Sequence, residues 1–136
     1  MYRGVVACRV VVALLLLIAA TAASSAQGLF PSVWRSERGA ILKVLWADPA
    51  GNFGGVFITS PGGPCPGVPY DLRGRFRGQR VAFVTSRTWT ADCRATVRWI
   101  GRFVNPTTVA TRFVATLVGP DGRTRRVRGS ELFRRI

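Results

Sequence analysis

From Val33 to the C-terminus the chain sustains no helical hydrophobic period; short runs rich in β-branched and aromatic residues alternate with turn formers. The runs are Val33–Ser36, Ala40–Trp46, Phe53–Ser60, Tyr70–Phe76, Arg80–Thr88, Arg94–Val104, Thr108–Val118 and Arg123–Arg135. Asp48-Pro49-Ala50-Gly51-Asn52, Arg77-Gly78-Gln79, Asn105-Pro106 and Gly119-Pro120-Asp121-Gly122 have the chemistry of tight turns, which pair successive strands antiparallel. The connection Pro61–Gly67 is longer and dense in proline and glycine. Eight strands in up-and-down order predict an all-β fold, an eight-stranded antiparallel β-barrel. Closing the sheet removes its exposed edges and leaves one open mouth where a ligand can enter.

Ahead of the first run lie Arg3 and Arg9, the apolar segment Val10–Ala20 and the small residues Thr21–Ala26. This order of charge, short apolar stretch and small residues reads as a secretory signal peptide cut after Ala26. The alternative, a retained membrane anchor, needs ~20 apolar residues, and this segment is too short. The expected division is therefore a signal peptide at 1–26 and one β-barrel domain at 27–136, exported to the periplasm or secreted. Cys8 leaves with the leader, so the mature chain keeps Cys65 and Cys93. An even pair in an exported protein favours a disulfide, worth about 3–4 kcal/mol for a loop of this length, over two free buried thiols.

The 20 basic against 6 acidic residues give a formal charge of +14, which falls to +12 without Arg3 and Arg9; every remaining base except Lys43 is arginine. These bases are spread along every strand, with no aromatic–basic recognition motif, so they read as a solvated basic exterior and not as a specific nucleic-acid site. The cluster Arg123, Arg125, Arg126 and Arg128 is a candidate contact for an acidic surface. The sequence has no histidine. With a single mature cysteine pair, that excludes a zinc site and a histidine-based triad, and no cofactor or metal is expected.

The spaced set Trp34, Gly39, Gly51, Gly55, Thr59, Cys65, Cys93, Trp99, Gly101, Thr111, Gly129 and Phe133 resembles the avidin family of secreted biotin-binding barrels. The most telling pieces are Ser32-Val33-Trp34 with Gly39, Gly51 through Thr59, Arg98-Trp99-Ile100-Gly101, and Gly129-Ser130-Glu131-Leu132-Phe133. Pro69-Tyr70-Asp71-Leu72-Arg73-Gly74 and the cysteine pair look most like the dimeric bacterial avidins, which implies a disulfide between the loops after strands three and five. Gly119–Gly122 lacks the tryptophan that tetrameric avidins lend to a neighbour, and this too implies a homodimer.

The resemblance also places a ligand site. Ser36, Ala40 and Phe57 stand where the family holds the ureido oxygen of biotin, and only Ser36 retains a hydroxyl. Thr59 aligns with an acceptor for one ureido nitrogen, and Glu131 replaces an aspartate on the other. Trp99 keeps one wall of the aromatic box, Phe113 replaces a second, and the third falls at Arg87 or Ser86, with Trp89 as a nearby substitute. Ala95 and Val97 stand where hydroxyls meet the ligand's tail and sulfur. Arg38 aligns with an apolar contact in the loop over the ligand; with Arg87 it would favour an anion, unless both turn to water or Glu131 neutralises Arg87. Each hydrogen bond lost with its partner left buried costs roughly 1–3 kcal/mol, so three to five losses remove ~5–10 kcal/mol.

The reading is a non-enzymatic, avidin-type small-molecule binder with weakened affinity for biotin or a related ligand. The alternative is a basic envelope-interaction protein or protein inhibitor on the same barrel. There Phe57, Phe113 and Trp99 fill the interior and the exterior binds. An open mouth lined by Thr59 and Glu131 favours the first, a filled interior the second.

Overall fold

Strict inside–outside alternation closes the sheet. In the computed structural model, which describes residues 30–136, eight strands follow one another around a closed antiparallel barrel. They are β1 (Ser32–Ser36), β2 (Ile41–Ala47), β3 (Asn52–Ile58), β4 (Pro69–Arg77), β5 (Arg80–Arg87), β6 (Ala95–Asn105), β7 (Thr108–Val118) and β8 (Thr124–Arg135). β8 pairs back to β1 through Trp34–Arg135, Arg35–Arg134 and Ser36–Phe133, so the expected barrel is the observed one. The signal peptide expected at 1–26 lies outside the described residues.

β4 shows why the sequence folds this way. Tyr70, Leu72 and Phe76 are buried while Asp71, Arg73, Arg75 and Arg77 face water. A one-residue slip would bury the arginines, which fixes the register. Two strand ends fall short of the expected runs. β3 stops at Ile58 because the Thr59 amide and carbonyl leave the ladder to pair with Val68 and Gly67 in the following loop. β5 stops at Arg87 because residues 88–94 form a loop held by a disulfide.

Aromatic rings fill the barrel from the closed end upward. Trp34 is buried at the bottom, its indole N–H donating to Ser32 Oγ at 2.9 Å, and its ring meets Phe103 edge-on at 5.9 Å. Phe103 contacts Phe76, Phe76 contacts Phe53, and Phe53 contacts Phe83, at centroid separations of 6.3, 6.4 and 6.4 Å. Trp99 then stacks on Phe83 at 5.4 Å and 10°. It also touches Phe113 at 4.8 Å, Phe57 at 5.6 Å and Phe133 at 5.6 Å. Offset and edge-on pairs at these distances each add about 0.5–1.5 kcal/mol beyond the area they bury. Glycines make room for the rings: a Cβ on Gly129 would stand 2.5 Å from Phe113, and one on Gly74 2.4 Å from Phe53. An apolar void of about 30 Å³ remains among Trp34, Phe53, Phe83 and Phe133.

Trp46, expected to cap its strand or join a subunit interface, sits at a bulge between Val44 and Trp46. Its indole covers Gly54, and it is half exposed beside exposed Leu45.

Trp99 has one polar atom to satisfy in this column. Its Nε1–H donates to Thr85 Oγ1 at 3.0 Å, and Thr85 is fully buried. Thr85→Val keeps the shape but orphans the indole N–H, so urea unfolding should show a loss of about 1–3 kcal/mol. Thr85→Ser, which restores the acceptor, should recover the hydrogen-bond part of that loss.

Candidate functional site

In an up-and-down barrel, the β1–β2, β3–β4, β5–β6 and β7–β8 connections all lie at one end, and that end is the mouth. A cleft of about 400 Å³ opens there, lined by Arg38 and Ala40 from β1–β2, Phe57 from β3, Thr59, Ser60, Gly62 and Gly63 from the following loop, and Glu131 from β8. That volume suits a small ligand. Of the residues named from the sequence, the fold thus gathers Arg38, Ala40, Phe57, Thr59 and Glu131 around one space. Ser36 lies directly behind them and is buried.

Glu131 is the acidic group of the cleft, and it is buried. Burial pushes its carboxyl above the usual glutamate value of 4.5, and the Glu37 charge adds to this. A hydrogen bond from the Ser36 hydroxyl and the Arg38 guanidinium pull the other way. The same Ser36 oxygen accepts from the Ala40 amide at 3.0 Å, which locks its rotamer. Ser36 is therefore committed within the protein, as a bridge between the β1–β2 turn and Glu131.

Thr59 is committed as well. Its hydroxyl accepts from the Val68 amide at 2.8 Å and donates to the Cys65 carbonyl, which closes the base of the 59–68 loop. Ser60 Oγ donates to the Arg38 carbonyl at 2.6 Å and joins this loop to the β1–β2 turn. Ser60, Gly62 and Gly63 line the cleft, although none is among the sequence-derived site residues. Their signal was the proline- and glycine-rich composition of the loop, which marks a shaped connection but no particular contact.

The remaining predicted residues lie elsewhere. Trp99 is buried in the aromatic column beneath the cleft and Phe113 packs over it half-buried. Ala95 is buried beside Leu117, and Val97 packs against the core. None of these four lines the cleft. Nor does Arg87, whose Nη1 donates to the Pro69 carbonyl at 3.2 Å and whose Nη2 lies 3.8 Å from Asp92. The acid that faces Arg87 is thus Asp92 and not Glu131. Trp89 does not replace a box wall: it is exposed, with the Arg87 guanidinium 5.6 Å from its ring centre. The mouth therefore has an open half over β1–β3 and a half closed by the 88–94 loop.

The closed half is tied down covalently. Cys65 and Cys93 form a disulfide, with Cα atoms 5.9 Å apart, between the loops after β3 and β5, as the resemblance implied. Tyr70, buried below, donates its hydroxyl to the Cys93 carbonyl at 2.5 Å. Its burial raises the phenol above the usual value of 10.0, which keeps it a donor.

A closed eight-stranded barrel with a small-molecule cleft at one end is the class this geometry defines. Among solved structures the chain is similar to the bradavidin2–biotin complex, at 29% identity and a TM-score of 0.66 over 78% of this chain and 96% of that one. It is also similar to the rhizavidin–biotin complex, at 25% identity and a TM-score of 0.66 over 78% and 91% of the two chains. Short afifavidin in complex with biotin shares the fold at 22% identity, with a TM-score of 0.67 over 84% and 98%. These neighbours are avidin-family proteins, and the resemblance read in the sequence holds in three dimensions. No family model and no curated protein matches the sequence.

Two measurements follow. Cys93→Ser opens a cross-link spanning 28 residues and should cost about 3–4 kcal/mol in denaturant unfolding. For Glu131, a carboxyl raised in the folded state means that the folded protein binds the proton more tightly than the unfolded chain does. Its contribution is therefore most favourable at low pH and declines as pH rises from the usual 4.5 through the raised value. In Glu131→Gln, unfolding free energy against pH should lose that decline.

Proposed function

We propose that this protein is an exported, non-enzymatic binder of the avidin type, holding biotin or a related cyclic ligand in the mouth cleft with weakened affinity. The observation that carries the reading is the convergence of Ala40, Phe57, Thr59 and Glu131, aligned with the family's ureido contacts, on one cleft of about 400 Å³. The biotin complexes of bradavidin2 and rhizavidin, at 29% and 25% identity, support the choice of ligand. The disulfide between Cys65 and Cys93 supports an oxidising, exported setting.

Weakening follows from what the cleft offers. Ala40 and Phe57 have no hydroxyl to give. Those of Ser36 and Thr59 already serve Ala40, Glu131, Val68 and Cys65. Glu131 remains as the acceptor for a ligand N–H, and Arg38 as a donor at the rim. Phe57 and the Trp99 cluster below it set a floor, so the ligand sits shallow. A loss of ~5–10 kcal/mol from the non-covalent ceiling leaves binding of around micromolar strength.

Calorimetric titration with biotin in moderate salt should give one site per chain. Glu131→Ala should abolish the heat. The double variant Ala40→Ser, Phe57→Tyr returns two hydroxyls to the ureido position and should tighten binding about tenfold or more. Absence of heat in the native protein and in this variant would overturn biotin as the ligand.

A further inference from the structure

The barrel's outer wall carries a second recess, larger than the mouth cleft and unrelated to it. It is a groove of about 920 Å³ across β4–β8. Cross-strand register explains its form. One row around the wall reads Arg75, Ala82, Ile100, Arg112, and the next reads Arg77, Arg80, Arg102, Ala110. Rows on one face of a sheet lie roughly 7 Å apart. The long arginines rise as walls while Ala82, Ile100, Gly101 and Ala110 stay low as a floor. Ile100 is 61% exposed, a large apolar side chain left in water at the centre of a ring of guanidiniums.

The ring is short of counter-charge. Among the described residues the ion pairs are Arg73–Asp71, Arg87–Asp92 and Arg123–Asp121, and none uses a wall arginine. Only Arg75 has a carboxylate near enough to feel it, helping to hold Asp48 below its usual value.

We propose that this groove docks an acidic protein segment whose apolar stripe covers Ile100 and Ala82 and whose flanking carboxylates meet Arg75, Arg80, Arg102 and Arg112. Guanidinium forks match carboxylates bidentately, and an apolar centre within a charged rim is the usual anatomy of a protein contact. An amphipathic helix has that form, an apolar stripe bounded by charge. A polyanion leaves Ile100 uncovered. A flat bilayer meets a curved wall along few rows. A second copy packed on this face through a two-fold axis sets the patch against itself, arginine facing arginine.

The test uses fluorescence anisotropy with a labelled peptide carrying a leucine stripe flanked by glutamates, beside a scrambled peptide of the same composition. The native protein should bind the striped peptide at least about tenfold more tightly than the scrambled one, and added salt should weaken both. Arg80→Glu with Arg102→Glu should remove at least about tenfold of that affinity, and Ile100→Ser should bring the two peptides together. These positions face outward, away from the mouth. Equal binding of the two peptides by the native protein would overturn the proposal, since charge alone would then explain it. So would a preference for phosphatidylglycerol vesicles or a sulfated polysaccharide. A dimer in solution that Ile100→Glu splits would assign the face to a second copy and overturn it too.

Discussion

The stack of Trp99 on Phe83 is the contact on which the rest of the barrel depends. An eight-stranded barrel encloses a fixed volume, and what fills it decides how much mouth is left. Here the filling is aromatic from Trp34 to Phe57, and Trp99 touches four other rings. Its one polar atom is answered by buried Thr85, so the column is dense and satisfied at once. The consequence for function is depth. A ligand meets Phe57 at the floor of the cleft, with Trp99 behind that ring.

Outside, the physics is electrostatic. With +12 expected on the mature chain and six acids in all, the exterior repels itself and resists compaction. The exposed pairs Arg73–Asp71 and Arg123–Asp121 offset little of this, since such pairs contribute at most about 1 kcal/mol each. Burial of the aromatic column and the Cys65–Cys93 cross-link oppose the repulsion, which salt screens. The same imbalance leaves the wall arginines around Ile100 without partners of their own.

The barrel was legible because turn chemistry and period-two alternation are local. Thr108–Val118 matches β7 residue for residue, and the other runs differ from their strands by a residue or two at the ends. The cysteine pair and half of the cleft were legible too, through residues whose inward direction follows from strand parity. Partnership was not. Thr59 and Ser36 read as hydroxyls available to a ligand, and only the fold shows that Val68, Cys65, Ala40 and Glu131 occupy them. Parity was right that Arg87 leaves the strand on the inner side with Thr85. The 88–94 loop, not visible as a constraint in the sequence, brings Asp92 and the Pro69 carbonyl to it before it reaches the cleft. Ser60, Gly62 and Gly63 were missed because a loop has no period from which to read direction.

Phe57 links the two halves of the mouth. On one side it floors the open cleft; on the other its ring meets Trp99 at 5.6 Å and Tyr70 edge-on at 6.4 Å. Tyr70 in turn holds the Cys93 carbonyl, so the disulfide that closes the second half rests on a ring that Phe57 supports. Replacing a ligand-gripping tyrosine by phenylalanine therefore removes a hydroxyl without removing a packing element. That is the direction of change expected where an interior is kept for stability while its polar contacts are relaxed. The core and the site share one side chain, and the cleft keeps its shape for the same reason that its grip is weak.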